Sequence, residues 1–260
     1  MLVDKNKKGT IILSNYRCGG TQMLHIVERI AEHHFDLKPI NLGEVDFKQE
    51  SDLLEQVYSF LSKGYNKKYQ VILLNNPDVI AFLNKINFFD ELVEDYNIFC
   101  LTRKNKARTL LSLPLWEAFI STGLFDTPEK WTKDNMIKFH NDLLKNPIPW
   151  NHISLGHKND FFKSKVEDKN KYTWLNWIVR ELHLQQSLNH LIKLKYKLPE
   201  YFYEDYEDSV VTFAKKNVKG IEESTLKYLK QTKKKIPYMS SDYSVYFHEA
   251  IIKVLKEWRI

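Results

Sequence analysis

The stretch that decides the fold is TIILSNYRCGGTQML, which occupies residues 10–24. Its first part, Thr10–Ser14, is β-branched and apolar, a pattern typical of a buried strand. Gly19 and Gly20 mark a turn, and beyond it apolar residues recur between Met23 and Ile30 at the spacing of a helix. The stretch therefore predicts a strand–loop–helix unit.

The same alternation continues through the first half of the chain. Apolar runs predict further buried strands at Tyr69–Leu74 and Asn97–Leu101, and a helix is expected after each, over about 78–88 and about 103–116. Strands that alternate with helices favour a parallel sheet covered on both faces. We expect a P-loop-like, three-layer α/β/α fold with a central parallel sheet.

The second half is mainly helical. Helical periodicity appears over 131–144, 172–195 and about 244–258, with an extended aromatic piece inside 198–208, and helical spacing also occurs earlier, at 52–61. No internal repeat and no Gly/Ser linker interrupts the chain. The sequence predicts a single domain over 1–260, with a core at about 10–115 and a helical subregion at about 116–260.

Composition favours a cytoplasmic globular protein. Hydrophobic residues make up 43% of the chain and charged residues 28%. The two cysteines, Cys18 and Cys100, lie far apart, so a disulfide framework is disfavoured and a reducing compartment is expected. The charged N-terminus has no apolar signal core, and no apolar run is long enough to cross a bilayer, so no membrane contact is expected.

The net charge is +6, and the excess of lysine falls late in the chain. The residues concerned are Lys215, Lys216, Lys219, Lys227, Lys230 and Lys233–Lys235. A solvated face is the simplest interpretation. Nucleic-acid binding and contact with a small polyanion are the alternatives.

Residues 14–21, SNYRCGGT, join the first strand to the first helix and are called the anion loop below. Backbone N–H groups and the helix dipole attract anions at such a position, and glycines let the backbone approach a phosphate closely. Arg17 can fork onto phosphate oxygens and Thr21 can donate its hydroxyl. No Lys precedes Thr21, so the loop is not a Walker A motif, and it is not G-x-G-x-x-G either.

The segment ILSNYRCGGTQML resembles the 5′-phosphosulfate loop of sulfotransferases that use 3′-phosphoadenosine 5′-phosphosulfate (PAPS). The resemblance implies PAPS as the cosubstrate and a set of binding residues in the loop: Arg17, Cys18, Gly19, Gly20, Thr21 and Gln22. The chain departs from the family pattern at three positions. It has Tyr16 where the family commonly has proline, Cys18 where it has serine, and Gly20 where it has a residue with a hydroxyl group. These departures remove two hydroxyl donors and imply weaker phosphate binding.

The segment LTRKNKARTLLSL, residues 101–113, resembles the 3′-phosphate segment of the same family. Its spacing is similar to that of bacterial sugar sulfotransferases related to the trehalose 2-sulfotransferase group. Arg103 at a strand end and Ser112 on the next helix are the residues that the resemblance implies for the 3′-phosphate. We expect this loop and the anion loop to lie at the same, carboxyl edge of the sheet and to face one ligand.

Two later segments carry weaker resemblances. Tyr203-Glu204-Asp205-Tyr206 resembles a segment that ends the last core strand, where Tyr203 is expected to pack and the acids to cap or to pair with bases. The stretch Lys233–Ser240 is similar to a basic loop that closes over PAPS, which makes Lys234 a candidate ligand of the nucleotide.

Sulfuryl transfer also needs groups beside the reacting atoms. Arg17 is expected to stabilise the leaving oxygen. The segment around Glu44 resembles the stretch in which sugar sulfotransferases carry a catalytic glutamate, so Glu44 is the candidate general base. Asp46, His34 and His33 are the reserves, and no metal is expected.

The function expected is transfer of the sulfuryl group of PAPS to a hydroxyl of a small-molecule or glycan acceptor, leaving PAP, the 3′,5′-bisphosphate of adenosine. The core at 10–115 would bind PAPS, and 116–260 would form the acceptor side and close the site. A P-loop-like nucleotide kinase or other phosphotransferase is the first alternative. A non-catalytic protein that binds a nucleotide or, less favoured, a nucleic acid is the second. Acceptor identity and oligomeric state stay open.

Overall fold

The structure is a computed structural model, and it describes part of the chain. The described residues are 1–15, 18–44, 55, 58–59, 68–104, 109, 173–207 and 209–231, with only the backbone described at 41, 43–44, 173–182 and 207. The helices predicted over 52–61, 103–116, 131–144 and 244–258 fall wholly or mostly outside these ranges.

The chain divides into two compact units, 1–104 with 184–234 and 105–183 with 235–260. The described residues belong mostly to the first unit, and the fold below is that of the first unit. The single-domain organisation over 1–260 stays a prediction.

A five-stranded sheet forms the centre of this unit. Its strands are β1 (Gly9–Ser14), β2 (Pro39–Glu44), β3 (Tyr69–Leu74), β4 (Tyr96–Thr102) and β5 (Glu200–Phe202). They lie in the order β2-β3-β1-β4-β5, and every neighbouring pair is parallel. The predicted parallel α/β sheet is confirmed.

Helices connect and cover the strands. They are α1 (Gly20–His34), α2 (Pro77–Lys85), α3 (Phe89–Asp95), α4 (Thr173–Tyr196), α5 (Tyr203–Glu207), α6 (Val210–Asn217) and α7 (Glu223–Lys230). The helix predicted over 78–88 is α2, which ends three residues earlier than expected, and α3 was not predicted. Asn87 has a φ of 57°, a left-handed conformation that ends α2 because a helix cannot continue through it.

The core lies on both faces of the sheet, because successive strand residues point to opposite sides. On one face Ile12, Leu73 and Phe99 pack with α1, α6 and α7. On the other face Ile11, Leu13 and Ile72 pack with α2, α3 and the end of α4. Helices therefore cover both sides, as expected for three layers.

Two further expectations concern the described residues. Cys18 and Cys100 are both buried and free, as predicted. No helix in the described ranges combines the length and the apolar character that a bilayer crossing requires.

Candidate anion site

The site forms where β1 and β4 end side by side. Ser14 is in register with Leu101, and the N–H of Asn15 donates to the carbonyl oxygen of Leu101 over 3.2 Å. Both strands run in the same direction, so the anion loop and Arg103 begin at the same edge of the sheet. The prediction that these two segments share the carboxyl edge is confirmed.

The start of α1 is open to an anion. Gly19 is its N-cap residue, with φ 76° and ψ 28°, and among the described residues no side chain caps the helix. The first turn contains no acidic residue. Because the first N–H groups of a helix have no partner within it and carry partial positive charge, this end can bind a negatively charged group.

The two loop glycines are also needed for packing beneath the loop. A Cβ atom on Gly19 would lie 2.4 Å from the Tyr203 ring and 2.5 Å from the Tyr206 hydroxyl. One on Gly20 would lie 2.7 Å from Leu73 Cδ1. Sequence reasoning attributed these glycines to a turn and to phosphate approach, whereas contact with the core below already excludes a larger side chain.

A buried phenol holds the loop from this core side. The Tyr206 hydroxyl lies 3.1 Å from the carbonyl oxygen of Cys18 and 3.0 Å from that of Gly19, and can donate to both. Burial raises the pKa of Tyr206 well above its usual value, so the hydroxyl keeps its proton. Sequence reasoning did not find this role, although the aromatic segment around Tyr206 was noted.

Two buried amides hold the start of the loop from the opposite face of the sheet. Gln185 Nε2 donates to the Asn75 carbonyl oxygen over 2.6 Å and lies 3.5 Å from that of Ser14. Asn189 Nδ2 donates to Asn15 Oδ1 over 2.6 Å. Gln185 and Asn189 are 0% and 2% exposed. Sequence reasoning missed both; their spacing of four on the buried face of α4 was the available signal.

Arg103 directly follows β4 and lies largely buried beside Glu204 and the Tyr203 ring. Its side chain is 7% exposed, Nε lies 3.7 Å from Glu204 Oε1, and Cζ lies 4.6 Å from the centre of the Tyr203 ring. Next to it, the N–H of Lys104 donates to Glu204 Oε2 over 2.9 Å, and Lys104 Nζ donates to Asp205 over 2.6 Å. The expectation that Tyr203 packs and that the acids pair with bases is confirmed.

The other candidate residues of the loop lie as follows. Thr21 is exposed on the first turn of α1, and Gln22 is buried. Cys18 is buried, and its backbone N–H donates a hydrogen bond to the carbonyl oxygen of Asn15. Arg17, Asp46, Ser112 and Lys234 lie outside the described residues, so their assigned roles stay predictions.

Glu44 is the last residue of β2, and its Cα is in register with that of Leu73 on β3. No strand was predicted for the segment that contains it, but the segment forms an edge strand. In the order β2-β3-β1, β2 lies two strand spacings from the anion loop's strand, roughly 10 Å. Glu44 thus ends its strand near the carboxyl edge of the sheet, level with Ile12 on β1, and its role as a base stays a prediction.

The structure corrects the reserve role of the two histidines. His33 and His34 end α1, whereas the anion loop begins it, and this 15-residue helix is about 22 Å long. His33 stacks on Tyr228, with ring centres 3.8 Å apart, and His34 Nδ1 accepts from the N–H of Glu222. They therefore lie at the far end of the helix and are poor candidates for a base beside the phosphate.

The late lysines that the structure describes are Lys215, Lys216, Lys219, Lys227 and Lys230, and all are exposed. This agrees with a solvated face. Within the described ranges, no group of three or more His, Cys, Asp and Glu side chains could hold a metal ion.

Comparison of the chain with protein-family models, with curated proteins and with solved structures gave no match.

Proposed function

We propose that the chain is a sulfotransferase that binds PAPS at the carboxyl edge of the sheet and transfers its sulfuryl group to a hydroxyl of a sugar or small alcohol. The observation that carries the proposal is the register of Ser14 with Leu101, since it brings the start of the anion loop beside the strand that ends at Arg103. A nucleotide with phosphates at both ends of its ribose needs two such segments close together.

The anion loop would bind the 5′-phosphate part of the ligand. The uncapped start of α1 offers backbone donors there, and the first turn has no acid to repel a phosphate. The guanidinium group of Arg17 would donate charge-assisted hydrogen bonds to the oxygen that leaves with the phosphate. Negative charge builds on that oxygen during transfer.

Arg103 and Ser112 would bind the 3′-phosphate. Glu204 and the Tyr203 ring fix the guanidinium of Arg103, which lowers the entropy that a phosphate contact would cost. Glu204 also brings a negative charge close to the same place, so it is expected to weaken phosphate binding there.

Glu44 would act as the general base. PAPS supplies the sulfuryl group: the bond from sulfur to the phosphate oxygen breaks as a bond from sulfur to the acceptor oxygen forms. Glu44 would accept the proton of the acceptor hydroxyl, a role that contributes roughly 10²–10⁴-fold to rate in general acid–base catalysis.

Selective stabilisation by ligands tests the proposal. A ligand at about 100 times its Kd adds about 2.7 kcal/mol to the free energy of unfolding. PAP is expected to raise the Tm without magnesium, and ATP with magnesium and a DNA or RNA oligonucleotide are not. A rise with ATP and magnesium alone would favour a kinase, and a salt-sensitive rise with the oligonucleotide alone would favour nucleic-acid binding.

A further inference from the structure

The back of the anion loop rests on one buried hydroxyl. Tyr206 is 0% exposed, and its oxygen lies 3.1 Å and 3.0 Å from the carbonyl oxygens of Cys18 and Gly19. The Gly19 oxygen also accepts the N–H of Met23, the first turn of α1. Two successive carbonyl groups of the loop are thus directed into the protein.

The direction of these carbonyl groups sets the direction of the next N–H groups. In a trans peptide the C=O and N–H bonds point to opposite sides, and no described peptide bond is cis. The Cys18 carbonyl is in one peptide with the Gly19 N–H, and the Gly19 carbonyl with the Gly20 N–H. With both oxygens turned to Tyr206, both N–H groups are turned away from it, toward the open start of α1.

We propose that Tyr206 is a positioning residue of the anion loop: its hydroxyl holds the Cys18 and Gly19 carbonyl groups and so directs the Gly19 and Gly20 N–H groups at the bound phosphate. This inference rests on the proposed function for the identity of the ligand, but the loop geometry that it describes does not. Fixed donors of this kind bind an anion with little reorganisation.

Tyr69 provides a matched control at the other end of the sheet. It is 5% exposed, and its hydroxyl forms a hydrogen bond of 2.7 Å with Thr10 Oγ1 at the start of β1. Tyr206→Phe and Tyr69→Phe each remove one buried hydroxyl and keep the ring. Each is expected to lower the Tm by about 2–4 °C, so that a difference in ligand binding between the two is not an effect of stability.

The test uses the full chain labelled with ¹⁵N. Tyr206→Phe is expected to raise the Kd for PAP by roughly 3- to 10-fold. It is also expected to lower the ¹⁵N backbone order parameters of Gly19 and Gly20 in the free protein. Tyr69→Phe is expected to change neither. In the wild type, addition of PAP is expected to shift the amide signals of Gly19 and Gly20.

Three results separate the possibilities. The positioning role would be overturned if PAP affinity and the Gly19 and Gly20 order parameters were the same in Tyr206→Phe as in the wild type. PAP binding that leaves both glycine signals unmoved would also overturn it. A wild type that does not bind PAP would overturn the proposed function. The order parameters of Gly19 and Gly20 in the free variants would then still decide whether Tyr206 orders the loop.

Discussion

At the amino edge of the sheet, buried polar side chains bind one another and the backbone of residues 1–4, whereas at the carboxyl edge they bind the anion loop. Tyr69 pairs with Thr10, and Tyr96 donates to Gln70, on the first side. On the second side Tyr206 holds the carbonyl groups of Cys18 and Gly19. The polar groups of the amino edge tie residues 1–4 to the sheet and serve stability. Those of the carboxyl edge order a loop whose own donors face outward.

The largest effect is expected at the carboxyl edge of β2. Glu44→Gln keeps the size of the side chain but cannot accept a proton, so it is expected to lower turnover by roughly 10²–10⁴-fold and to leave PAP affinity unchanged. Turnover is measured as transfer of sulfate from PAPS to a panel of sugars and phenols. Full activity in this variant would show that another residue is the general base, and Asp46 would be the next residue to test.

Loop packing gives the next effect. Gly19→Ala is expected to lower the free energy of unfolding by about 2–4 kcal/mol, because the new Cβ would clash with Tyr203 and Tyr206 and because the φ of residue 19 is 76°. The variant is also expected to bind PAP more weakly. Gly220 is the matched control: its φ is 66°, but its Cβ would meet nothing within 4 Å. Gly220→Ala is expected to cost only about 1–2 kcal/mol and to leave PAP affinity intact; equal loss of PAP binding in both variants would contradict the account.

Arg103 tests the second half of the site. Arg103→Ala is expected to weaken PAP binding by about 1.5–3 kcal/mol and Ser112→Ala by about 0.5–1.5 kcal/mol, measured by calorimetry. Lys193→Ala serves as a control because it breaks another partly buried pair, Lys193 Nζ with Glu200 at 3.0 Å. Unchanged PAP affinity in Arg103→Ala would remove the 3′-phosphate assignment.

The smallest expected effect concerns Glu204, the acidic neighbour of Arg103, and it is a gain in PAP affinity where Arg103→Ala and Ser112→Ala lose affinity. Glu204→Gln keeps an acceptor for the N–H of Lys104 but removes a negative charge beside Arg103. PAP is expected to bind about 2- to 5-fold more tightly, which corresponds to at most about 1 kcal/mol for a partly exposed charge. Weaker binding would indicate that Glu204 orders Arg103 more than it repels the ligand.

The sequence predicted the strands β1, β3 and β4 because each is a compact apolar run followed by turn residues. It did not predict β2, since the edge strand PINLGE has only two large apolar residues and begins with Pro39. The left-handed Asn87, which ends α2 before the predicted residue 88, and the short helix α3 that follows were also not predicted.

The site was predictable only in part. The anion loop and Arg103 lie in short local patterns that end strands, so the parallel sheet alone brings them together. Their supports come from distant parts of the chain: Tyr206 is 187 residues from Gly19, and Asn189 is 174 residues from Asn15. No local pattern reports such a contact, because it arises only when α4 and α5 pack at the ends of the strands.

The central claim is that the anion loop and Arg103 bind two phosphates of one ligand. The most direct measurement is a cycle of four calorimetric titrations, with PAP and with 5′-AMP, against the wild type and Arg103→Ala. We expect the wild type to prefer PAP over 5′-AMP by roughly 10- to 100-fold and Arg103→Ala to lose most of that preference. Equal affinity of the wild type for the two nucleotides, or an undiminished preference in Arg103→Ala, would contradict the account.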